Sequence, residues 1–172
     1  MVSPAESDVA ALVDLARARA VIEAVCDPEI PVLTLADLGV IRSIEQRADG
    51  KIEIAITPTY SGCPAMSAIT VDLHAALAKA GFGDVTVTTV LHPAWTSDWM
   101  SATGRAKLRA YGIAPPAAKA SRRALFGDET APACPQCNSG QTEKISEFGS
   151  TACKALWRCL SCREPFDAFK CI

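Results

Sequence analysis

Lys51-Ile52-Glu53-Ile54-Ala55-Ile56-Thr57-Pro58-Thr59-Tyr60-Ser61-Gly62-Cys63-Pro64 carries three structural instructions in one run. Isoleucine at every second position puts Ile52, Ile54 and Ile56 on one face of a strand. Pro58, Gly62 and Pro64 then break the strand pattern, and Pro64 suits the first position of a helix. Beyond it Met66, Ile69, Leu73, Ala76 and Leu77 recur at helical steps until Gly81. Upstream, Val40 to Ile44 reads as a partner strand joined through Asp49-Gly50, a pair suited to a tight hairpin. Downstream, Val85 to Leu91 is a third strand rich in Val and Thr, ending at His92-Pro93.

Before this block, Leu12, Leu15, Ala18, Ile22 and Val25 form the apolar stripe of a helix of about five turns, which must stop before Asp27-Pro28. An irregular run, Asp27-Pro28-Glu29-Ile30-Pro31-Val32, leads into a short turn from Thr34 to Leu38 with Asp37 and Gly39 as punctuation. After the third strand come an aromatic corner, Trp95 to Trp99, and a helix from Ser101 to Tyr111 stopped by Gly112. The order helix, strand, strand, helix, strand, helix predicts a compact α/β domain on a small sheet over residues 1–111. Residues 112–133, rich in Ala and Pro, read as a partly extended linker, and residues 134–172 as a second module.

That second module is defined by Cys134-x-x-Cys137 and Cys159-x-x-Cys162, with 21 residues between the pairs. Two tight turns that each present two thiolates can close a tetrahedral site, as in ribbon-type zinc modules where the gap is roughly 15 to 20 residues. The segment is too short to bury a core of its own, and its apolar residues are few: Ile145, Phe148, Leu156, Trp157, Phe166 and Phe169. Metal binding, on the order of 10 to 16 kcal/mol in finger-type peptides, is therefore expected to carry its fold. A zinc-ribbon-like module with structural zinc is the reading, and a rubredoxin-like iron would use a similar four-sulfur set. Cys153 and Cys171 are surplus to four ligands: either is a candidate additional ligand, both together a candidate second site, and both could equally be packed thiols.

With 172 residues, 49% of them hydrophobic, the chain has room for one substantial core and a small appendage. A net charge of -2 argues against a nucleic-acid partner. Asp8, Asp14 and Glu23 interrupt the first 25 residues, which argues against a signal peptide or membrane span. The cysteine spacing then favours reduced thiols in the cytoplasm over disulfides.

Cys63 carries the clearest chemistry. With Pro64 as the first helical residue, Cys63 is the cap, facing unpaired amides and the positive end of the helix dipole, which predicts a thiol that ionises readily. The alternative is a small buried hydrophobe. Asp27 and Glu29 straddle a proline on a rigid loop, either as a functional pair or as two solvated turn carboxylates. No catalytic residues are assigned, because no Ser, His and Asp arrangement is present: His74 is expected on the exposed side of a helix, and His92 is a weak metal-ligand candidate at a strand end.

Together, Asp27-Pro28-Glu29-Ile30-Pro31, Leu35-Ala36-Asp37-Leu38-Gly39 and Thr57-Pro58-Thr59-Tyr60-Ser61-Gly62-Cys63-Pro64 resemble the iron-sulfur assembly domain of SufT-type proteins. Trp95-Thr96-Ser97-Asp98-Trp99, Tyr111-Gly112-Ile113-Ala114-Pro115-Pro116, Phe148-Gly149-Ser150-Thr151-Ala152-Cys153-Lys154-Ala155 and Arg163-Glu164-Pro165-Phe166 extend the resemblance to the PaaD-type phenylacetate degradation family over nearly the full length. The resemblance implies an accessory factor without a reaction of its own, assisting iron-sulfur or di-iron assembly in a phenylacetyl-CoA epoxidase. That client combines a di-iron oxygenase with a reductase carrying flavin and a [2Fe-2S] cluster. The family's reactive cysteine falls on Cys63, which would hold iron or a cluster transiently, and its acidic loop on Asp27 and Glu29. A bridging subunit without metal transfer is the competing expectation, and a homodimer stays open.

Overall fold

In the computed structural model, residues 4–116 and 131–171 are described, with side chains from residue 14 onward. Helix α1 (Pro4–Ala24) ends ahead of Asp27-Pro28, as the proline requires. Ala18 and Ile22 are fully buried on its inner face, with Leu15, Val21 and Val25 packed beside them. The next segment is a closed loop. Cys26 bridges Thr34, the Asp27 amide donates to the Leu33 carbonyl at 2.9 Å, and the Leu35 amide to Val25 at 2.8 Å.

A single turn of helix, α2 (Leu35–Leu38), follows. Thr34 caps it by accepting from the Asp37 amide, while the Asp37 carboxylate accepts from the Thr34 amide, a reciprocal pair that fixes the turn. Gly39 then takes φ +69°, a left-handed conformation that also lets the Trp99 backbone approach. Strands β1 (Ile41–Gln46) and β2 (Ile52–Ile56) pair antiparallel, with a register shift between Ile41 and Ser43. Ile52, Ile54 and Ile56 are all buried, as the period of two requires.

Helix α3 (Ala65–Lys79) lays Ile69, Leu73 and Leu77 on that isoleucine face and returns the chain to β3 (Val85–Thr89), which pairs parallel to β2. The sheet order is β1-β2-β3. β3 is shorter than its apolar run because β2 offers no partner past Ile56, so Leu91 is left 64% exposed. The aromatic corner forms a 3-10 turn, Ser97–Trp99, and α4 (Ala102–Ala110) is capped by Ser101, whose hydroxyl accepts from the Gly104 amide at 2.8 Å.

The second module is a three-stranded antiparallel ribbon, β4 (Thr142–Ser146), β5 (Lys154–Cys159) and β6 (Pro165–Phe169). Of its six apolar residues, Trp157, Phe166 and Phe169 are buried, Leu156 is partly so, and Ile145 and Phe148 are exposed. The fold class is therefore a mixed α/β domain with a small sheet, followed by a ribbon.

The ribbon is packed against the first domain. Ala114 forms a parallel bridge to Ala168, its amide donating to Asp167 at 2.8 Å and its carbonyl accepting from Phe169 at 2.9 Å. The Trp95 and Phe169 rings meet at 5.9 Å between centroids, and Trp95 Nε1 donates to the Leu38 carbonyl at 3.0 Å. Phe169 and Cys153 thus join the core of the first domain. Most of the expected linker, residues 117–130, lies outside the described residues.

Candidate functional site

Cys63 ends the loop that leaves β2. The Cys63 amide donates to the Tyr60 carbonyl at 3.3 Å, and Gly62 takes φ +85°, so the chain reverses tightly before α3. Helix α3 begins at Ala65, with Pro64 in the cap position, so Cys63 lies one residue before the cap expected for it. Its sulfur still accepts from the Ala65 amide.

The thiol is nevertheless raised above the ordinary cysteine range, not lowered. Burial is the largest cause, and the charges of Glu29 and Asp27 add to it, outweighing the Ala65 amide and the Tyr60 hydroxyl. Burial therefore overrides the helix start, and the charges of the 26–34 loop act in the same direction. Asp27 is itself anchored, its Oδ1 accepting from the amides of Glu29 and Ile30, each at 2.8 Å. Cys63, Asp27 and Glu29 are all half-buried, so the sulfur is neither walled into the core nor fully exposed.

Nothing in its spacing marks Tyr60, yet it belongs to this cluster. Burial, then the Cys63 thiol, push its hydroxyl up to about 12. Thr57, at the start of the loop, carries a fully buried hydroxyl with no hydrogen-bond partner. His74 and His92 are exposed.

The second sulfur cluster is in the ribbon. The sulfurs of Cys134, Cys137, Cys159 and Cys162 lie within 4.8 Å of one another. Cys134 and Cys162 are 3.7 Å apart, Cys137 and Cys159 3.5 Å. A tetrahedral ion with metal-sulfur distances of about 2.3 Å needs sulfurs about 3.8 Å apart, so the four residues fit a metal without rearrangement. The turns supply the amides such thiolates require. The Cys162 amide donates to the Cys159 sulfur at 3.4 Å and, with the Ser161 amide, holds that thiol down to about 6. Cys162 has the Glu164 amide in its favour, yet burial and the sulfurs of Cys137, Cys159 and Cys134 push it up to about 12. Four converging thiolates repel one another unless a cation lies between them. An ion held by the four sulfurs would act there as a structural cross-link between two turns.

Cys153 and Cys171 fall outside this group. Cys153 is buried at 5% exposure, its sulfur 3.0 Å from Thr151 Oγ1. Cys171 is half-buried.

Two family models divide the chain in the same way. One described as an iron-sulfur cluster assembly protein matches residues 15–89, and the PaaD zinc beta ribbon domain matches residues 118–170. A protein of Escherichia coli, named a putative subunit of 1,2-phenylacetyl-CoA epoxidase, is 51% identical over 153 residues, spanning 89% of this chain and 90% of that one. The chain belongs to the PaaD family. A Fe-S protein maturation auxiliary factor of Porphyromonas gingivalis is 36% identical over 78 residues, 45% of this chain and 73% of its own length. Among solved structures, a Bacillus anthracis domain of unknown function, DUF59, superposes with a TM-score of 0.51 at 26% identity, covering 55% of this chain and 90% of that one. The DUF59 likeness identifies the first fold of this PaaD-family chain, and the four-cysteine metal site is that of its zinc ribbon.

Proposed function

We propose that the protein is an accessory maturation factor for a phenylacetyl-CoA epoxidase, assisting assembly of an iron-sulfur cluster or the di-iron centre. It carries no reaction of its own, works in the cytoplasm, and touches neither membrane nor nucleic acid. No described helix is long and apolar enough to cross a membrane. The observation that carries the reading is the half-buried Cys63 thiol, which feels the charges of Asp27 and Glu29, in a domain that matches an iron-sulfur cluster assembly family. A sulfur held mostly as thiol by burial, with the Glu29 and Asp27 charges adding to it, stays unreactive until a cation displaces its proton, which suits transient capture of iron or a cluster. Structural zinc holds the ribbon, which docks the client.

The test is to co-express the epoxidase components with the wild-type chain or with Cys63→Ser and measure cluster content and activity. Loss of both is expected; unchanged values would remove Cys63 from the mechanism. A second reading, a bridging component without metal transfer, is favoured by the name of the Escherichia coli relative, which counts that protein among the epoxidase subunits. Stoichiometric co-purification with oxygenase components, together with full client metallation by Cys63→Ser, would select it.

A further inference from the structure

We infer that the open edge of β3 pairs antiparallel with the same edge of a second copy of this chain, around a two-fold axis at Val87. The inference is independent of the Cys63 reading. It starts from a contrast among the edges of the two sheets, β1 and β3 in the first and β4 and β6 in the second. Unpaired edges invite other strands, and native sheets blunt them with irregular register, charges, proline or a covering segment. β1 has a register shift between Ile41 and Ser43 and exposes Arg42 and Glu45. β4 has one between Lys144 and Ser146, among Glu143, Lys144 and Glu147. β6 opens with Pro165 and is bridged by Ala114. β3 has none of these devices. Val85 to Leu91 contains neither a charge nor a proline, and the pairing of β3 with β2 runs without a register shift. Among the described residues, no strand or bridge pairs with its outer side.

The hydrogen bonds to β2 fix which groups face outward. The Ile52 amide donates to the Asp84 carbonyl at 3.0 Å, and the Val90 amide to the Ile56 carbonyl at 2.8 Å. The even-numbered residues of this strand therefore turn their main-chain groups toward β2, and Val85, Val87 and Thr89 turn theirs to the open edge. That outward set is complementary to itself. With Val87 opposite Val87 of the second copy, Val85 falls opposite Thr89 and Thr89 opposite Val85, each as a hydrogen-bonded pair of an antiparallel ladder. Between them Thr86 falls opposite Thr88, both of them exposed in the single chain, and threonine pairs favourably across strands. Val85 and Val87 already pack against the core of the first domain, which holds the edge in place for a partner.

Charge selects the occupant. A charged strand laid on this edge finds no counter-charge in Val85 to Leu91, whereas β3 of a second copy is an uncharged strand of matching length with an equally unguarded edge. At the end of the ladder Asp84 falls opposite Val90, not opposite another carboxylate, and Lys51 Nζ lies 3.6 Å from its Oδ2. Joined in this way the two first-domain sheets become one continuous sheet, and the interface, being the same patch on both copies, closes at a dimer. A strand edge of this length buries less than the roughly 800 Å² per partner of a tight complex, so the dimer is expected to dissociate in the micromolar range.

Sedimentation velocity of the full chain loaded with zinc, over about a hundredfold range of micromolar concentration, is expected to show a monomer to dimer equilibrium. A monomer throughout overturns the proposal. Hydrogen exchange read by NMR on the wild-type chain locates the contact: the amides of Val85, Val87 and Thr89 are expected to slow as the dimer forms, and a dimer that leaves them unchanged uses another surface and overturns it. Thr86→Lys combined with Thr88→Lys sets like charges opposite each other on both sides of the axis and is expected to weaken association about tenfold or more. Thr86→Glu combined with Thr88→Glu is expected to do the same, and an equal mixture of the two variants is expected to pair again. A mixture that stays monomeric, while both variants keep the wild-type circular dichroism, overturns the register; if the variants fail to fold, the wild-type exchange data decide. A chain that is monomeric alone, but whose β3 amides slow when a purified oxygenase component is added, pairs with a strand of the client, and pairing with a second copy is then overturned.

Discussion

Lys107 Nζ donates to Asp37 Oδ2 at 2.6 Å, tying α4 to the short α2 turn across 70 residues of chain. Asp37 is only 7% exposed, and Oδ1 accepts from the Ser101 hydroxyl at 3.0 Å while Oδ2 accepts the Thr34 amide at 3.2 Å. Burial alone would raise this carboxyl, but Lys107, Thr34 and Ser101 together hold it below the ordinary range. Its stabilising contribution is therefore complete at neutral pH and is lost as pH falls through the depressed value. Asp37→Ala should cost about 3 kcal/mol, the scale of stranding several buried donors. Lys107→Met should cost about 1 kcal/mol, because that side chain is 40% exposed. Urea melts at pH 7 and at a series of lower pH values should show the Asp37→Ala penalty shrinking only below the ordinary carboxyl range, as the depressed value is crossed.

Gly39 is the hinge of the same turn. A Cβ added there would meet the Trp99 carbonyl and lie 2.9 Å from Trp99 Cβ, at a φ that already disfavours side chains. Gly39→Ala should lose about 2 kcal/mol or more from left-handed strain of about 1 kcal/mol plus the clash. The same melts check it, and Trp99 fluorescence should shift if the aromatic corner moves.

Local chemistry made much of this legible. The period of two in Ile52, Ile54 and Ile56, the proline stops and the paired Cys-x-x-Cys turns are short-range signals, and the structure realises each one. The Thr34-x-x-Asp37 capping pair was also readable as a capping box. The other two partners of Asp37 were not, since Ser101 and Lys107 reach it only after the chain has folded. The Cys63 thiol shifts opposite to its expected direction for a similar reason: a helix start is visible in sequence, whereas the burial that the fold imposes on the sulfur is not. Nothing near Cys153 marks it as a core residue of a domain that ends some forty residues earlier.

The ribbon should depend on its ion. Chelation, or Cys134→Ser at a fully buried ligand, should release about one metal per chain and unfold β4 to β6, because binding on the order of 10 to 16 kcal/mol is lost. The damage should spread inward, since Phe169 covers Trp95. Metal analysis, circular dichroism and a red-shifted Trp95 emission would register it. A chelated chain with unchanged β signal would show that the ion is dispensable to this fold.

The Cys63 thiol should titrate above an ordinary cysteine, so iodoacetamide labelling at pH 7 should be slow and should rise only at more alkaline pH. Glu29 is the second-largest influence that raises it, after burial. Glu29→Gln removes that charge while keeping the side-chain volume, so the labelling midpoint should fall and the rate at pH 7 should increase. Thiolate is the form that binds metal, so the same variant should also need less alkaline conditions to take up Co2+. Its affinity at high pH should nevertheless drop, because the carboxylate that repels a thiolate attracts the cation. Peptide-resolved labelling of Cys63 across pH, set beside the Co2+ titration, separates the two effects. A rate at pH 7 that is unchanged by Glu29→Gln would mean that the Glu29 charge has no part in holding the thiol's proton.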